Sequence, residues 1–196
     1  MALPRSVPEV VEACLEAGAP AVQLRDKDSD DATLLARAGT LRELCARRGA
    51  LFFVNDRFDI ALASGAHGVH LGPDDLPPAA ARGVVPEGFL IGWSTDDPDA
   101  AREAAGLGVD YIGCGAVFGT TSKPEAADER LGLEGLAEVA RASSVPVVAI
   151  GGVTPANAAD ALAAGAAGVA AVAAIMGAAD PSAVVRAFLA VRRARR

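Results

Sequence analysis

Residues 64–69 (SGAHGV) join the predicted end of a helix to the start of a strand, and this short segment decides the fold. Three similar segments occur at residues 17–22 (AGAPAV), 107–112 (LGVDYI) and 164–169 (AGAAGV). In each segment, a glycine occupies the place where many helices end in the left-handed backbone conformation, and a valine-bearing strand follows. The sequence therefore predicts four helix-to-strand connections of one type.

The spacing of these segments predicts further strands between them. Their first glycines are separated by 47, 43 and 57 residues, which is about twice the length of one strand and one helix. An apolar stretch typical of a buried strand fills each interval, at residues 51–54, 89–93 and 145–150. Strands that alternate with helices in this way favour a parallel sheet with helical crossovers.

Seven strands in this arrangement predict an α/β fold, specifically a (β/α)8 TIM barrel formed by one domain of residues 1–196. The first strand of the barrel is missing or atypical, because only five residues precede the predicted first helix. That helix begins at the capping-box sequence of residues 6–9 (SVPE). An open, doubly wound sheet is the alternative. In either architecture the carboxyl ends of the strands form the active face.

Composition and charge argue against several classes of function. The net charge is −7, and the only stretch rich in basic residues, residues 192–196 (RRARR), is typical of a solvated helix end. No nucleic-acid partner is therefore expected. No long apolar stretch lacks polar or glycine interruptions, so no membrane partner is expected either. Three scattered cysteines and no signal-peptide core predict reduced thiols and a cytoplasmic location, and a homo-oligomer is an open alternative.

Two polar clusters each close an apolar stretch. Residues 51–54 (LFFV) lead into Asn55 and Asp56, and residues 68–71 (GVHL) lead into a loop that contains Asp75. Neighbouring strands would bring the two aspartates to one point of the active face, where their carboxylates suit a hard cation. Either residue alone would be read as a surface aspartate in a turn. Together they favour a metal site.

The strand that begins at residue 21 continues into a cationic segment. Strand alternation places Gln23, Arg25 and Lys27 on the same side. Two cations on one side suit a phosphate or pyrophosphate, with the arginine as a forked donor and the lysine as a point charge. The alternative is ion pairing with the neighbouring aspartates, Asp26, Asp28, Asp30 and Asp31.

Other predicted strand ends offer hydroxyl groups and glycine-rich turns. Ser94 follows one strand, and the loop of residues 119–124 (GTTSKP) combines hydroxyl groups with a single lysine. Residues 151–154 (GGVT) and 169–174 (VAAVAA) follow the last two strands. In barrels of this kind, backbone N–H groups at these last two strand ends commonly bind phosphate.

The two histidines, His67 and His70, do not indicate a base. A histidine that faces the interior from a strand, as His70 is predicted to do, is more often a hydrogen-bonded core residue. No Ser-His-Asp order or Cys-His pair indicates a protein nucleophile. Two anion sites and one cation site favour group transfer between phosphorylated substrates.

Six motifs, taken in order, resemble the thiamine phosphate synthase family. They lie at residues 23–27, 54–57, 68–75, 91–95, 120–123 and 148–152. The resemblance extends from about Pro8 to the C-terminus. It implies a transferase of thiamine biosynthesis, which joins hydroxymethylpyrimidine pyrophosphate to a thiazole phosphate and releases pyrophosphate.

The resemblance also implies a cofactor and a role for each matching residue. Mg²⁺ would be held by Asp56 and Asp75. The pyrimidine pyrophosphate would be bound by Gln23, Arg25, Lys27, Asn55, Ser94 and Lys123. The thiazole phosphate would be bound by Thr120, Ser122, Gly152 and the backbone of Val172 and Ala173. The catalytic residues, which stabilise the charge of the leaving pyrophosphate, would be Arg25, Lys27, Ser94 and Lys123.

The chain departs from the family pattern in several places. It has no first strand ending near a Thr-Asp pair, and Asp96, Ala116 and Ala173 stand where histidine, proline and serine are common. One alternative function is that of the related thiazole tautomerase, an isomerase that carries a histidine in the segment of Ala116 and needs no metal pair. Another is a phosphate-binding relative without turnover. The Asp56–Asp75 pair and the Arg25–Lys27 pair favour the synthase.

Overall fold

The computed structural model describes residues 5–119 and 130–193, which form a parallel sheet of seven strands covered by helices. The strands are β1 (Ala21–Leu24), β2 (Leu51–Asn55), β3 (Gly68–Leu71), β4 (Leu90–Ser94), β5 (Tyr111–Cys114), β6 (Val147–Ala149) and β7 (Gly168–Val169). The helices of the described residues are α1 (Val7–Glu16), α2 (Asp31–Arg48), α3 (Phe58–Ala63), α4 (Pro78–Arg82), α5 (Pro98–Glu103), α6 (Gly132–Ala142), α7 (Ala158–Ala163), α8 (Ala173–Met176) and α9 (Pro181–Arg193).

The predicted helix-to-strand connections are confirmed. All four of their first glycines have positive φ angles, with values of 98°, 66°, 78° and 107° at Gly18, Gly65, Gly108 and Gly165. The capping box that begins α1 is also present, because the backbone N–H and hydroxyl of Ser6 both donate to the Glu9 carboxylate, at 2.7 and 2.8 Å. These local signals set the ends of the elements.

The strands pair in chain order, each parallel to the next. Val22 lies beside Phe52, for example, and Val54 lies beside Val69. A doubly wound sheet would reverse its strand order at a switch point, so the structure excludes that alternative. Because all seven strands run the same way, their carboxyl ends meet at one edge, as predicted.

The seven predicted strands are present, but the (β/α)8 TIM barrel that was expected, with a missing or atypical first strand, does not close. Within the described residues, β1 pairs only with β2 and β7 pairs only with β6, so the sheet is open between β1 and β7. The two described residues before α1 form no strand that could fill this slot. The fold is therefore a curved, open sheet of seven strands.

Helices α1 and α9 pack together across the slot. Val10 and Cys14 of α1 are buried with Val185 of α9, and Leu189 packs against this cluster. The hydroxyl of Ser182 in α9 also donates to the carbonyl oxygen of Ala13, at 2.9 Å. Helices α1 and α9 thus pack together where β1 and β7 do not pair.

The main hydrophobic core lies between the sheet and the helices. Phe52, Val69, Ile91 and Ile112 have no exposed surface there. The three cysteines are buried free thiols, in agreement with the prediction. In the described part of the chain, no helix is both long enough and apolar enough to cross a membrane.

Two strand glycines make room for aromatic rings on the inner side of the sheet. A Cβ atom on Gly92 would lie 2.2 Å from Cζ of Tyr111, and one on Gly113 would lie 2.8 Å from Cε1 of His70. Phe53 meets Tyr111 edge-on, with 5.6 Å between the ring centroids. The rings of Tyr111 and His70 therefore fill space that any larger residue at the two glycines would occupy.

Replacement of Gly113 by alanine tests this packing. We expect Gly113→Ala to lower the free energy of unfolding by about 1–3 kcal/mol, because the added methyl group must displace His70. The matched control is Gly39→Ala in α2, where an added Cβ meets nothing within 4 Å. That change should raise the free energy of unfolding by roughly 0.5–1 kcal/mol through helix propensity. Urea unfolding measures both, and an unchanged stability of Gly113→Ala would contradict the packing.

Candidate active site

The carboxyl ends of the strands open onto a cleft of about 2130 Å³. Ser94 and Gly152 line it at the strand ends, and Val10 and Leu189 line it at the slot between β1 and β7. The strand ends and the slot therefore share one continuous space. The predicted site residues that line this cleft are Gln23, Arg25, Lys27, Asn55, Ser94, Gly152, Val172 and Ala173.

The end of β1 presents cations to the cleft. Arg25 and Lys27 line it together with Asp26, and the charge of Asp26 is paired with that of Arg37 on α2. The Asp26 carboxylate also accepts the N–H groups of residues 28 and 29, each at 3.2 Å. This folded-back loop directs the aspartate towards α2.

Two other aspartates that were alternative partners for the cations have partners of their own. Asp30 caps α2 by accepting the N–H of Thr33 at 2.9 Å. Asp31 pairs with Arg57 at 2.6 Å. Lys27 instead reaches the predicted metal residue Asp56, with 3.5 Å between Nζ and Oδ2. The ion pair of Lys27 thus links the cationic strand end to the predicted metal site.

Asp56 lies in an unusual turn at the end of β2. Its φ angle of 61° is the only positive one among the described non-glycine residues. Aspartate tolerates this left-handed conformation better than most side chains do. The N–H of Asp56 donates to the carbonyl oxygen of His70 at 2.8 Å, which extends the β2–β3 pairing to this residue. The turn therefore redirects a side chain whose backbone is still tied to the sheet.

The Asp56 and Asp75 side chains are in contact, as predicted. The Asp75 carboxylate accepts the N–H of Gly72 at 2.6 Å, which fixes the loop after β3. Partial burial raises the pKa of Asp56, the neighbouring Asp75 raises it further, and Lys27 opposes both effects. Asp56 thus lies between a second carboxylate and a single lysine, and a divalent cation would relieve the repulsion of the two carboxylates.

The chemistry of this pair fits Mg²⁺. Among the described residues, no third histidine, cysteine, aspartate or glutamate completes a protein-only cage. Mg²⁺ is commonly bound by one or two carboxylates, with water and substrate phosphates as its other ligands. Asp56 and Asp75 do not line the cleft themselves, but Lys27 connects them to it. A cation held by the pair would lie at the edge of the cleft, beside the cationic end of β1.

His70 is a buried, hydrogen-bonded residue, as the sequence predicted. Its side chain is enclosed, with 9% of the residue exposed. Nδ1 lies 2.9 Å from the Tyr111 hydroxyl, and Nε2 lies 2.8 Å from the Ser94 hydroxyl. Ser94, which is predicted to bind substrate and to act in catalysis, is thus held in place by a hydrogen bond with His70.

Tyr111 is the residue of this region that sequence reasoning missed. Burial raises the pKa of its phenol, and a hydrogen bond from the Gln23 side chain partly opposes that effect. Tyr111 also lines the cleft. The available signal was its place at the start of β5, directly beside Gly92 in the neighbouring strand.

A glycine turn follows β6. Gly151 and Gly152 have φ angles of 89° and 65°, and a Cβ on Gly152 would lie 2.6 Å from the carbonyl oxygen of Gly119. Asn157 fixes the turn by donating to the carbonyl of Gly152 at 3.0 Å and accepting the N–H of Thr154 at 2.7 Å. Only glycine permits this close approach of two loops.

The remaining predicted phosphate-binding residues fall into two groups. Val172 and Ala173 line the cleft where α8 begins, and Val172 is 52% exposed. Thr120, Ser122 and Lys123 lie outside the described residues, so their roles stay predictions.

Two departures from the family pattern have structural roles of their own. The Asp96 carboxylate accepts the N–H of Gly115 at 2.7 Å and so holds the end of β5. Ala116 lies directly against Gly151, where a Cβ on the glycine would be 2.5 Å from Cα of Ala116. Both residues therefore stabilise the loops that shape the cleft.

Comparison with known proteins gives one consistent family. Residues 2–175 match the family described as thiamine monophosphate synthase. The chain is 49% identical over 96% of its length to a thiamine biosynthesis bifunctional protein of Symbiobacterium thermophilum, covering 39% of that protein. It is 46% identical over 92% of its length to a thiamine-phosphate synthase of Thermosynechococcus vestitus, covering 51% of it. The chain thus spans about two fifths and about half of the length of these two curated relatives, respectively.

A solved structure supports the same family. The thiamine phosphate pyrophosphorylase from Pyrococcus furiosus superposes with a TM-score of 0.88 at 38% identity. The alignment covers 97% of this chain and 91% of that protein. The shared fold therefore extends over nearly the whole of both chains.

Replacement of Asp56 by asparagine tests the carboxylate pair without substrate. Because the folded-state pKa of Asp56 is raised, its ionisation costs stability as the pH rises through that pKa. We expect Asp56→Asn to be more stable than the parent at pH 7 in the absence of divalent cations. The difference should vanish as the pH falls below about 4, where the carboxyl is protonated in both states.

Thermal unfolding with and without Mg²⁺ completes this test. Mg²⁺ should raise the melting temperature of the parent chain and have little effect on Asp56→Asn, because only the parent holds the full ligand pair. The control is Asp99→Asn at an exposed position of α5, which should respond to Mg²⁺ as the parent does. An equal response of parent and Asp56→Asn would contradict the metal site.

Proposed function

Because the chain belongs to the thiamine monophosphate synthase family, we propose that it is a transferase that forms thiamine phosphate. Its substrates are hydroxymethylpyrimidine pyrophosphate and a thiazole phosphate, and pyrophosphate is the second product. The observation that carries the proposal is the meeting of the Asp56–Asp75 pair with Lys27 at the edge of a cleft that Arg25 also lines. The two carboxylates would bind a metal cation, and the two basic side chains would bind an anion. Together they suit a complex of pyrophosphate with a metal ion.

The reaction needs little chemistry from protein side chains. The bond between the pyrimidine methylene carbon and the pyrophosphate oxygen breaks, and the pyrophosphate leaves with the electron pair. The thiazole nitrogen supplies the pair that forms the new C–N bond. Because the substrate is itself the nucleophile, the site requires neither a protein nucleophile nor a general base.

The chain's residues act mainly on the leaving pyrophosphate. Arg25 binds it as a forked donor and Lys27 as a point charge, and Ser94 donates a hydroxyl. Asp56 and Asp75 would hold Mg²⁺, which supplies positive charge against the leaving group when bound. Gln23 and Asn55 bind the pyrimidine part. Hydrogen-bond donors that are already in place where negative charge develops usually make the largest contribution to transition-state stabilisation.

The other substrate occupies the far side of the cleft. The backbone of Gly152, Val172 and Ala173 binds the thiazole phosphate, and Thr120, Ser122 and Lys123 are proposed to complete the two subsites from the loop after β5. The residues of both proposed subsites that the structure describes line one continuous cleft.

The cellular setting follows from this activity. We propose that the protein acts in the cytoplasm on small phosphorylated substrates, without a nucleic-acid or membrane partner. A homo-oligomer is compatible with this activity. The substrates and the metal ion are the only partners that the proposed reaction requires.

A product assay separates the three candidate functions. The chain is incubated with both substrates and Mg²⁺, and thiamine phosphate and pyrophosphate are quantified. Equal amounts of both products support the synthase. Isomerisation of the thiazole phosphate without coupling would select the tautomerase. Binding of both substrates without turnover would select the non-catalytic relative, and either result would overturn the proposal.

The variant Asp56→Ala tests the metal pair in turnover. We expect it to lose Mg²⁺-dependent thiamine phosphate formation by at least about 100-fold while circular dichroism shows an intact fold, because the leaving charge is no longer neutralised. The matched control, Asp99→Ala, removes an exposed aspartate that does not line the cleft and should keep the parent rate. An unchanged rate in Asp56→Ala would remove the metal assignment.

A pair of Arg25 variants tests the forked donor. Arg25→Ala should raise the KM for the pyrimidine pyrophosphate by roughly 10-fold or more, because a charge-assisted contact is lost. Arg25→Lys keeps the charge but not the fork, so its KM should fall between those of the parent and the alanine variant. Arg102→Ala, at an exposed site away from the cleft, is the control. Equal KM values for all four proteins would contradict the role.

A further inference from the structure

Four polar side chains form a row across the inner side of the sheet, and hydrogen bonds of 2.9 and 2.8 Å join Tyr111, His70 and Ser94 within it. The row runs from Gln23 on β1 to Tyr111 on β5, then to His70 on β3 and to Ser94 on β4. All four line the cleft. Tyr111 and His70, the two middle members, take no part in the proposed reaction so far. We refer to the four residues as the polar row.

The two middle rings cannot move aside easily. The His70 ring lies over Gly113 and the Tyr111 ring lies over Gly92, both so close that a Cβ at either glycine would collide with them. The ring centroids of His70 and Tyr111 are 5.4 Å apart. The two rings therefore support each other, and both are held by packing as well as by hydrogen bonds.

Donor counting leaves two directions for the hydrogen bonds. A neutral imidazole has one N–H donor and one bare acceptor nitrogen, and a phenol donates one O–H. In the first direction, Tyr111 donates to Nδ1 of His70, and the Nε2–H of His70 donates to the Ser94 oxygen. In the second direction, Ser94 donates to a bare Nε2, and the Nδ1–H of His70 donates to Tyr111.

The two directions differ in whether Ser94 presents a hydrogen-bond donor or an acceptor to the cleft. In the first, its oxygen already accepts a hydrogen bond from His70, so its own O–H remains to be donated into the cleft. In the second, that O–H donates to Nε2 of His70, and only a lone pair of the Ser94 oxygen faces the cleft. The same cleft is lined by Arg25 and Lys27, which attract an anion. An anionic oxygen needs a donor, so only the first direction lets Ser94 bind it.

We propose that His70 is a positioning residue that orients the Ser94 hydroxyl as a donor to the leaving pyrophosphate, and that Tyr111 holds His70 in the tautomer this requires. This inference rests on the proposed function for the identity of the anion. Gln23 begins the row by donating its amide N–H to the Tyr111 oxygen. Each member thus passes its orientation to the next, and neither His70 nor Tyr111 exchanges a proton with substrate.

The tautomer of His70 tests the inference without any substrate. Nitrogen-15 NMR distinguishes a protonated from a bare ring nitrogen, and the chain has only two histidines. Nδ1 of His67 accepts the N–H of Phe52 at 2.9 Å, and the His70→Gln variant identifies which signals belong to His70. We expect a bare Nδ1 and a protonated Nε2 at His70. The opposite tautomer, or a doubly protonated ring, would overturn the inference even if the chain is an active synthase.

Two variants of His70 then separate positioning from packing. Glutamine places its amide nitrogen near Nε2 and can still donate to Ser94, whereas asparagine reaches only the position of Nδ1. We expect His70→Asn to lower kcat roughly 10- to 100-fold with a smaller change in KM, matching Ser94→Ala. The kcat of His70→Gln should be at least about tenfold higher than that of His70→Asn, because glutamine restores the hydrogen-bond donor to Ser94.

A double variant closes the test. If His70 acts through Ser94, the pair His70→Asn/Ser94→Ala should have the same kcat as Ser94→Ala alone. Multiplied losses, or equal kcat values for His70→Gln and His70→Asn, would overturn the inference. If the parent chain forms no thiamine phosphate, the proposed function fails separately, and the NMR result alone then decides the direction of the polar row.

Discussion

The contact between α1 and α9 is the interaction on which the rest of the structure depends. The sheet is open between β1 and β7, so hydrogen bonds between strands do not fix its curvature in the described chain. The apolar cluster that joins Val10 and Cys14 to Val185 closes the ring of helices instead. This packing holds the cations after β1 opposite the backbone turns after β6 and β7. The two sides of the cleft therefore face each other without a complete barrel.

Within that fold, the chemistry of the site depends on a few unusual backbone conformations. The left-handed turn at Asp56 brings one carboxylate against Asp75 and Lys27, and the Gly151–Gly152 turn brings two loops into contact. Neither arrangement lies in the regular strand geometry. Each is nevertheless anchored to it, since the Asp56 N–H still pairs with β3. The strands form the rigid part of the site, and the turn just beyond a strand sets the direction of the side chain or loop that follows.

Much of this could be predicted from sequence because the signals are local. The glycine before four of the strands reports a left-handed helix end, and residues such as Asp56 and Ser94 come just after apolar stretches. The open sheet could not be predicted in the same way, because closure of a barrel depends on distant strands and on the packing of α1 against α9. Tyr111 was missed for a similar reason. Its partners, Gln23 and His70, lie far away in the chain, and only the fold brings them together.

The close fit of Gly92 to the Tyr111 ring has a consequence for how such sequences can change over time. A larger residue at position 92 has no space while tyrosine stands at position 111. A smaller residue at 111 would come first and would make the glycine dispensable, but it would also interrupt the row that reaches Ser94. The order of the two substitutions is thus restricted, and the pair should be inherited together in lineages that keep the activity.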